Sequence, residues 1–115
     1  MRYALLLVFL VVAFGVAFAS RAISVEPVNV GARSAAELYG KNCASCHGRD
    51  GRARTFKGKL KHARNLADSE WQGRVSDERI FNSVTNGKGK MPAYGKRFSE
   101  QEIDSLVSYV RALRK

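Results

Sequence analysis

The sequence predicts an all-α fold, three to five short helices around one covalently held group, and three observations carry that expectation. Cys43-Ala44-Ser45-Cys46-His47 uses both cysteines and one of the two histidines of the chain. Ser34, Ser76 and Ser99 each precede a segment whose apolar residues recur at helical spacing. A chain of 115 residues, with a leader to subtract, has only a thin core, which a large apolar cofactor would complete. There is no internal repeat, no low-complexity segment and no second domain.

The spacing of the cysteine motif has a chemical reason. Two thiols three residues apart can each bond one vinyl group of a single porphyrin while the adjacent imidazole reaches the iron, and CxxCH is the attachment signature of c-type haem. A bare CxxC would equally suit a redox dithiol or half a zinc site. Zinc wants four ligands, and Cys43, Cys46, His47 and His62 in this order match no zinc pattern. The residues predict one covalent haem c; zinc or a dithiol is the remaining alternative.

Taken in order, the chain opens with Arg2 and an apolar run from Ala4 to Ala19 that ends Ala17-Phe18-Ala19 before Ser20. Those are the parts of a secretory signal peptide, and the run is shorter than the roughly 20 residues of a relaxed membrane-spanning helix. Residues 1–19 are expected to be a cleaved signal peptide, with an uncleaved membrane anchor as the alternative. Either way the rest is exported, to the periplasm or anchored facing it. Residues 20–33, with Pro27 and Gly31, read as an N-terminal arm, and 34–115 as one domain.

Ser34-Ala35-Ala36-Glu37 has the form of a capping box, and Ala35, Leu38 and Tyr39 share a helical face that leads into Cys43. From Gly48 to Arg64 the chain reads as a loop: Gly48, Gly51 and Gly58 punctuate it, and Arg49, Arg52, Arg54, Lys57, Lys59, Lys61 and Arg64 face one acid, Asp50. Such a run suits an acidic partner or is simply solvated. With no recognition-helix pattern, nucleic acid is not expected as a partner. Asp68-Ser69-Glu70-Trp71 starts a short capped helix, and Trp71 is expected to pack over the cofactor crevice.

Ser76 caps a segment in which Ile80, Phe81 and Val84 share a face, ending at Asn86-Gly87, where glycine suits a left-handed terminal residue. Then comes Gly87-Lys88-Gly89-Lys90-Met91-Pro92-Ala93-Tyr94, a glycine-rich loop in which Pro92 biases Met91 towards extended backbone. No apolar stripe asks for Met91 there, so it is the candidate for the iron's sixth ligand, with His62 or an open position as the alternatives. Ser99 to Glu102 repeats the capping box, and Ile103, Leu106, Val107, Val110 and Leu113 form the clearest apolar stripe of the chain. Its natural partner is the helix before Cys43.

These stretches together, Leu38-Tyr39, the CxxCH-Gly run, the Met91-Pro92 loop and a final helix bearing Tyr109, resemble the class I, monohaem c-type cytochromes over about residues 34–114. The resemblance implies a cytochrome c-like fold with crossing first and last helices, thioethers at Cys43 and Cys46, axial ligands His47 and Met91, and Leu38, Tyr39 and Leu106 to Val110 near the helix crossing; Tyr39, Trp71 and Pro92 are the further candidates for cofactor contact. Family members commonly carry a proline after the motif, in the stretch whose carbonyl orients the proximal imidazole. Ala63-Arg64-Asn65-Leu66 stands there instead, which leaves the partner of His47 open.

With both axial positions filled, substrate cannot reach the iron, so the expectation is a one-electron carrier and not an enzyme. The alternatives are an electron-transfer subunit tethered to a membrane oxidase or dehydrogenase, and a small haem peroxidase-like enzyme if Met91 does not ligate. The formal net charge of +10 points to redox proteins with acidic docking surfaces, with peripheral membrane contact as a further possibility. A monomer is expected. Lys88, Lys90, Lys96 and Arg97 flank the methionine loop, as a ring around an exposed haem edge would require.

Overall fold

The computed structural model describes residues 33–115, so the anticipated leader and all but the last residue of the arm lie outside the described residues. Within them the chain forms six helical segments: α1 (Ala35–Asn42), α2 (Ala44–His47), α3 (Phe56–Lys61), α4 (Ser69–Arg74), α5 (Asp77–Asn86) and α6 (Glu100–Ala112). No helix among them is long and apolar enough to cross a membrane. The β pairing among the described residues is a single bridge, Lys88 to Met91.

Six segments exceed the three to five anticipated, for two local reasons. α2 is a single turn, too short to show periodicity, and it separates from α1 at Cys43, whose φ is −111°. α3 lies in the stretch read as a loop. There Thr55 Oγ1 accepts the Gly58 amide at 2.9 Å, a capping bond strong enough to start a helix despite the glycine inside it.

The other starts follow the same chemistry. Ser34, Asp68, Ser76 and Ser99 accept the amides of Glu37, Trp71, Arg79 and Glu102. Only Ser99 and Glu102 complete the reciprocal box, the Ser99 amide donating to Glu102 Oε2 at 2.9 Å. Glu37 turns instead to Lys41, 3.3 Å away and one turn on. Gly87 ends α5 with φ 75° and ψ 170°, an extended conformation open to glycine, where a left-handed helical cap was anticipated.

The apolar stripe of α6 buries Ile103, Leu106, Val107 and Val110 against Leu38 and Tyr39 of α1 and Ile80 and Val84 of α5. The first and last helices therefore pack as anticipated. Tyr39 and Tyr109 rings tilt together at 4.9 Å, and Tyr94 stacks on Phe98 at 5.0 Å. Arg33 joins the start of α1 to α6 through Glu102, at 2.8 Å, and lies over the Phe98 ring.

One buried polar side chain ties the C-terminal helix to the middle of the chain. Gln72 donates to the carbonyls of Leu66 and Val110, both at 2.8 Å, and accepts from Arg111. Arg111 also donates to the carbonyls of Gln72 and Val75 and pairs with Asp77. Each donor is used, so the cluster clamps α6 onto α4 and α5 without leaving an unpaired buried group.

Candidate functional site

The helices frame a cavity of about 940 Å³ lined by Cys43, Cys46 and His47 on one wall and by Met91, Pro92 and Tyr94 on another. Its volume lies at the upper end of the roughly 300–1,000 Å³ typical of cofactor pockets. Leu66, Trp71, Val75, Ile80, Val84 and Val110 supply apolar surface between the two walls.

The motif wall is held atom by atom. Cys43 and Cys46 are i and i+3 across the α1–α2 junction, which puts both thiols on one face. The main-chain carbonyls from Cys43 to Gly48 all find donors. Cys43 takes the His47 amide (2.9 Å), Ala44 the Gly48 amide (2.8 Å), and His47 the Ala53 amide (2.8 Å). Ser45 and Cys46 share the Thr55 hydroxyl (2.9 and 3.0 Å), and Gly48 takes the Tyr39 hydroxyl (2.8 Å). A Cβ on Gly58 would lie inside contact distance of the Cys46 carbonyl oxygen, so only glycine lets α3 seat this close to the motif.

His47 is 9% exposed, and its Nδ1 donates to the Arg64 carbonyl at 2.9 Å. Burial holds its pKa below the ordinary histidine value, against the opposing pull of that hydrogen bond. The ring is thus neutral, with its proton on Nδ1 and the Nε2 lone pair available to a metal. The acceptor comes from the segment that lacks the family proline. It is fixed by the Ala63 amide on the Gly58 carbonyl (2.8 Å), the Leu66 amide on the Gly51 carbonyl (2.7 Å) and a left-handed turn at His62 (φ 54°). Burial, with the neighbouring Cys46 as a smaller cause, pushes the Cys43 thiol up to about 11, so it stays protonated at neutral pH.

Met91 is half-buried and sits on a tight turn. Lys88 and Met91 exchange backbone bonds at 3.0 and 3.1 Å. Gly87 makes the turn possible: a Cβ there would come within 2.7 Å of the Met91 carbonyl oxygen. The turn is moored by the Tyr94 and Gly95 amides on Val84 and Thr85 and by the Tyr94 hydroxyl on the Asn42 carbonyl (3.0 Å).

The structure brings Cys43, Cys46, His47, Met91, Trp71 and Pro92 to one cavity. Tyr39 is not among the lining residues; it lies behind the motif, its hydroxyl on Gly48 and its ring on Tyr109. His62 lines the cavity and is exposed. Among the described residues no three His, Cys, Asp or Glu side chains are gathered around a common point, so the zinc alternative lacks a ligand set. In the sequence Gly58 reads as a loop breaker and Arg64 as a loop cation within the stretch left open as the partner of His47, while Thr55 and Asn42 are not singled out; a Thr ahead of Phe56 is the one local signal for the cap.

The lining carries Lys57, Lys61, Arg64, Arg74, Arg79, Lys88 and Lys90 and no acid. Arg74 pairs with Glu70 at 3.0 Å, outside the lining, and the net cationic lining that the others leave favours a ligand that brings its own carboxylates. Arg97 is engaged rather than free: it donates to Asn42 Oδ1 at 3.2 Å and lies over the Tyr94 ring.

Residues 31–110 match the family model described as cytochrome c oxidase, cbb3-type, subunit III. The chain is 37% identical to the cbb3-type cytochrome c oxidase subunit FixP of Azorhizobium caulinodans over 71% of its length, a stretch that spans only 27% of FixP. It is 36% identical to cytochrome c6 of a Nostoc species, over 84% of this chain and 79% of that protein. Among solved structures, the KustC0563 c-type cytochrome superposes with a TM-score of 0.68 at 36% identity, covering 72% of this chain and all of that one.

Proposed function

The chain belongs to the class I monohaem c-type cytochromes, and from that premise we propose that Cys43 and Cys46 tether its haem and that His47 and Met91 close the two faces of the iron. It is an electron carrier with one covalent haem c and redox proteins as partners. Bound in this cavity, the haem supplies a one-electron iron couple.

The chain's own residues set the conditions for that couple. The Arg64 carbonyl keeps the His47 proton on Nδ1 and the ring in one orientation. Val75, Ile80 and Val84 line the interior with apolar surface that would exclude water, and the cations of the lining would receive the cofactor's carboxylates. The observation that carries the ligand assignment is that His47, with Nε2 free, and Met91 line the same cavity as the two thiols. With Met91 in place no substrate reaches the iron, which is why the protein is a carrier and not an enzyme.

Residues 1–19 act as a cleaved signal peptide, and the mature protein works as a periplasmic monomer that meets acidic docking surfaces. A second reading, a tethered electron-transfer subunit of a membrane oxidase, is favoured by the family model and by the apolar run from Ala4 to Ala19. An intact leader in the purified protein would select it.

The test compares visible spectra of wild type and Met91→Ala, both exported by a host with haem-maturation machinery. The wild type should give low-spin bands and a weak far-red sulfur-to-iron band; the variant should lose that band and bind added imidazole. A wild-type iron already high-spin would overturn the ligation by Met91.

A further inference from the structure

Among the described residues two large apolar side chains are exposed, Phe56 at 83% and Leu60 at 62%, and they are neighbours. Their exposure follows from Gly58. Each helical residue turns the chain by about 100°, so the glycine that faces the Cys46 carbonyl sends positions two before and two after it to the opposite side. Phe56 and Leu60, at i and i+4, therefore form one outward patch on α3. Cations surround it: Lys57 and Lys61 on the flank that lines the cavity, Lys59 on the other, and Arg54 just before the helix. The patch is also continuous with the methionine loop, since Lys90 Nζ reaches the Leu60 carbonyl at 3.4 Å.

We propose that the outer face of α3 docks an acidic electron-transfer protein, Phe56 and Leu60 seating in an apolar spot and the surrounding lysines meeting its carboxylates. This rests on the carrier reading and names the contact that serves it. A second copy of the chain is the wrong occupant, because it would present the same cations to one another. A protein suits the site better than a lipid surface because the patch shares Lys57 and Lys61 with the cavity rim, so whatever covers it stands beside the cofactor edge. The cations steer the encounter, and the apolar pair holds the docked complex together.

The test uses the full exported holoprotein and the double variant Phe56→Gln with Leu60→Gln, neither of which lines the cavity. Stopped-flow electron transfer from the soluble, acidic cytochrome b5 domain should slow about fivefold in the variant while keeping the wild-type dependence on salt, since steering charges are untouched. Reduction by ascorbate and the visible spectrum should stay as in wild type. Equal rates for variant and wild type would overturn the proposal. Equal rates together with lost binding to phosphatidylglycerol vesicles would overturn it in favour of a membrane contact. A wild-type protein that fails to cycle between ascorbate and ferricyanide would overturn the carrier reading itself, an outcome visible without the variant.

Discussion

The two walls of the cavity are built to different standards. On the motif wall each carbonyl from Cys43 to Gly48 is paired and Gly58 admits α3 to direct backbone contact. On the methionine wall one four-residue turn hangs from two amides, one tyrosine hydroxyl and the long, exposed Lys90 contact to the Leu60 carbonyl. The difference teaches that the histidine side is preformed while the methionine side is held by its moorings, and local opening should begin where the moorings are few.

The harshest way to break that contrast is Gly58→Val. It forces a branched side chain against the Cys46 carbonyl and should cost about 3 kcal/mol or more, by overpacking against backbone that cannot yield. Thermal unfolding should show it, together with a lower yield of covalently attached haem; an unchanged midpoint would mean that the motif wall is soft. Next, Thr55→Val keeps the shape but removes the cap of α3 and the donor to two carbonyls, for about 2 kcal/mol in urea unfolding.

Tyr94→Phe sharpens the contrast from the other side. Losing the bond to the Asn42 carbonyl should cost about 1 kcal/mol. That loss falls on the methionine wall, so imidazole should bind the ferric protein about fivefold more tightly, the same free energy expressed as ligand displacement. A variant less stable yet no more open to imidazole would show that Tyr94 serves the global fold and not the turn.

The mildest test lies away from both walls. Arg33, and then the Ser99 amide, hold the Glu102 carboxyl down to about 2. A carboxylate whose folded pKa lies below its unfolded one stabilises the fold above the unfolded value of about 4.5 and loses that contribution as pH falls towards about 2. Arg33→Gln should lower the melting temperature modestly at neutral pH, flatten the acid limb across that window and leave the value near pH 2 close to wild type.

What the sequence disclosed and what it hid divide along the same physical line. Side chains with a spacing or a cap left a trace: Cys43 and Cys46, the stripe of α6, the serine caps, Met91 beside its glycines. Main-chain partners left none of their own: the resemblance pointed to the stretch 63–66, but which carbonyl in it serves His47 is unmarked, because a carbonyl such as that of Arg64 belongs to every residue alike and acquires its role only from where the backbone turns. α3 escaped notice because its sole inward residue, Gly58, has no side chain to mark a buried face. Tyr39 was placed near the cofactor by its position one turn before Cys43, yet its hydroxyl is engaged behind the motif.

The oxygen that receives the His47 proton is a backbone atom, and that has a consequence for how the protein can change over generations. No substitution at position 64 deletes it. Replacing the exposed arginine removes one cation from the cavity lining but leaves the imidazole its orientation, so the tuning of an iron held as proposed is insulated from point mutation at the residue that provides the oxygen. Variation must instead act through the turn that presents the oxygen, at Gly51, Gly58 or His62, where inheritance of a fold and inheritance of a redox property become the same thing.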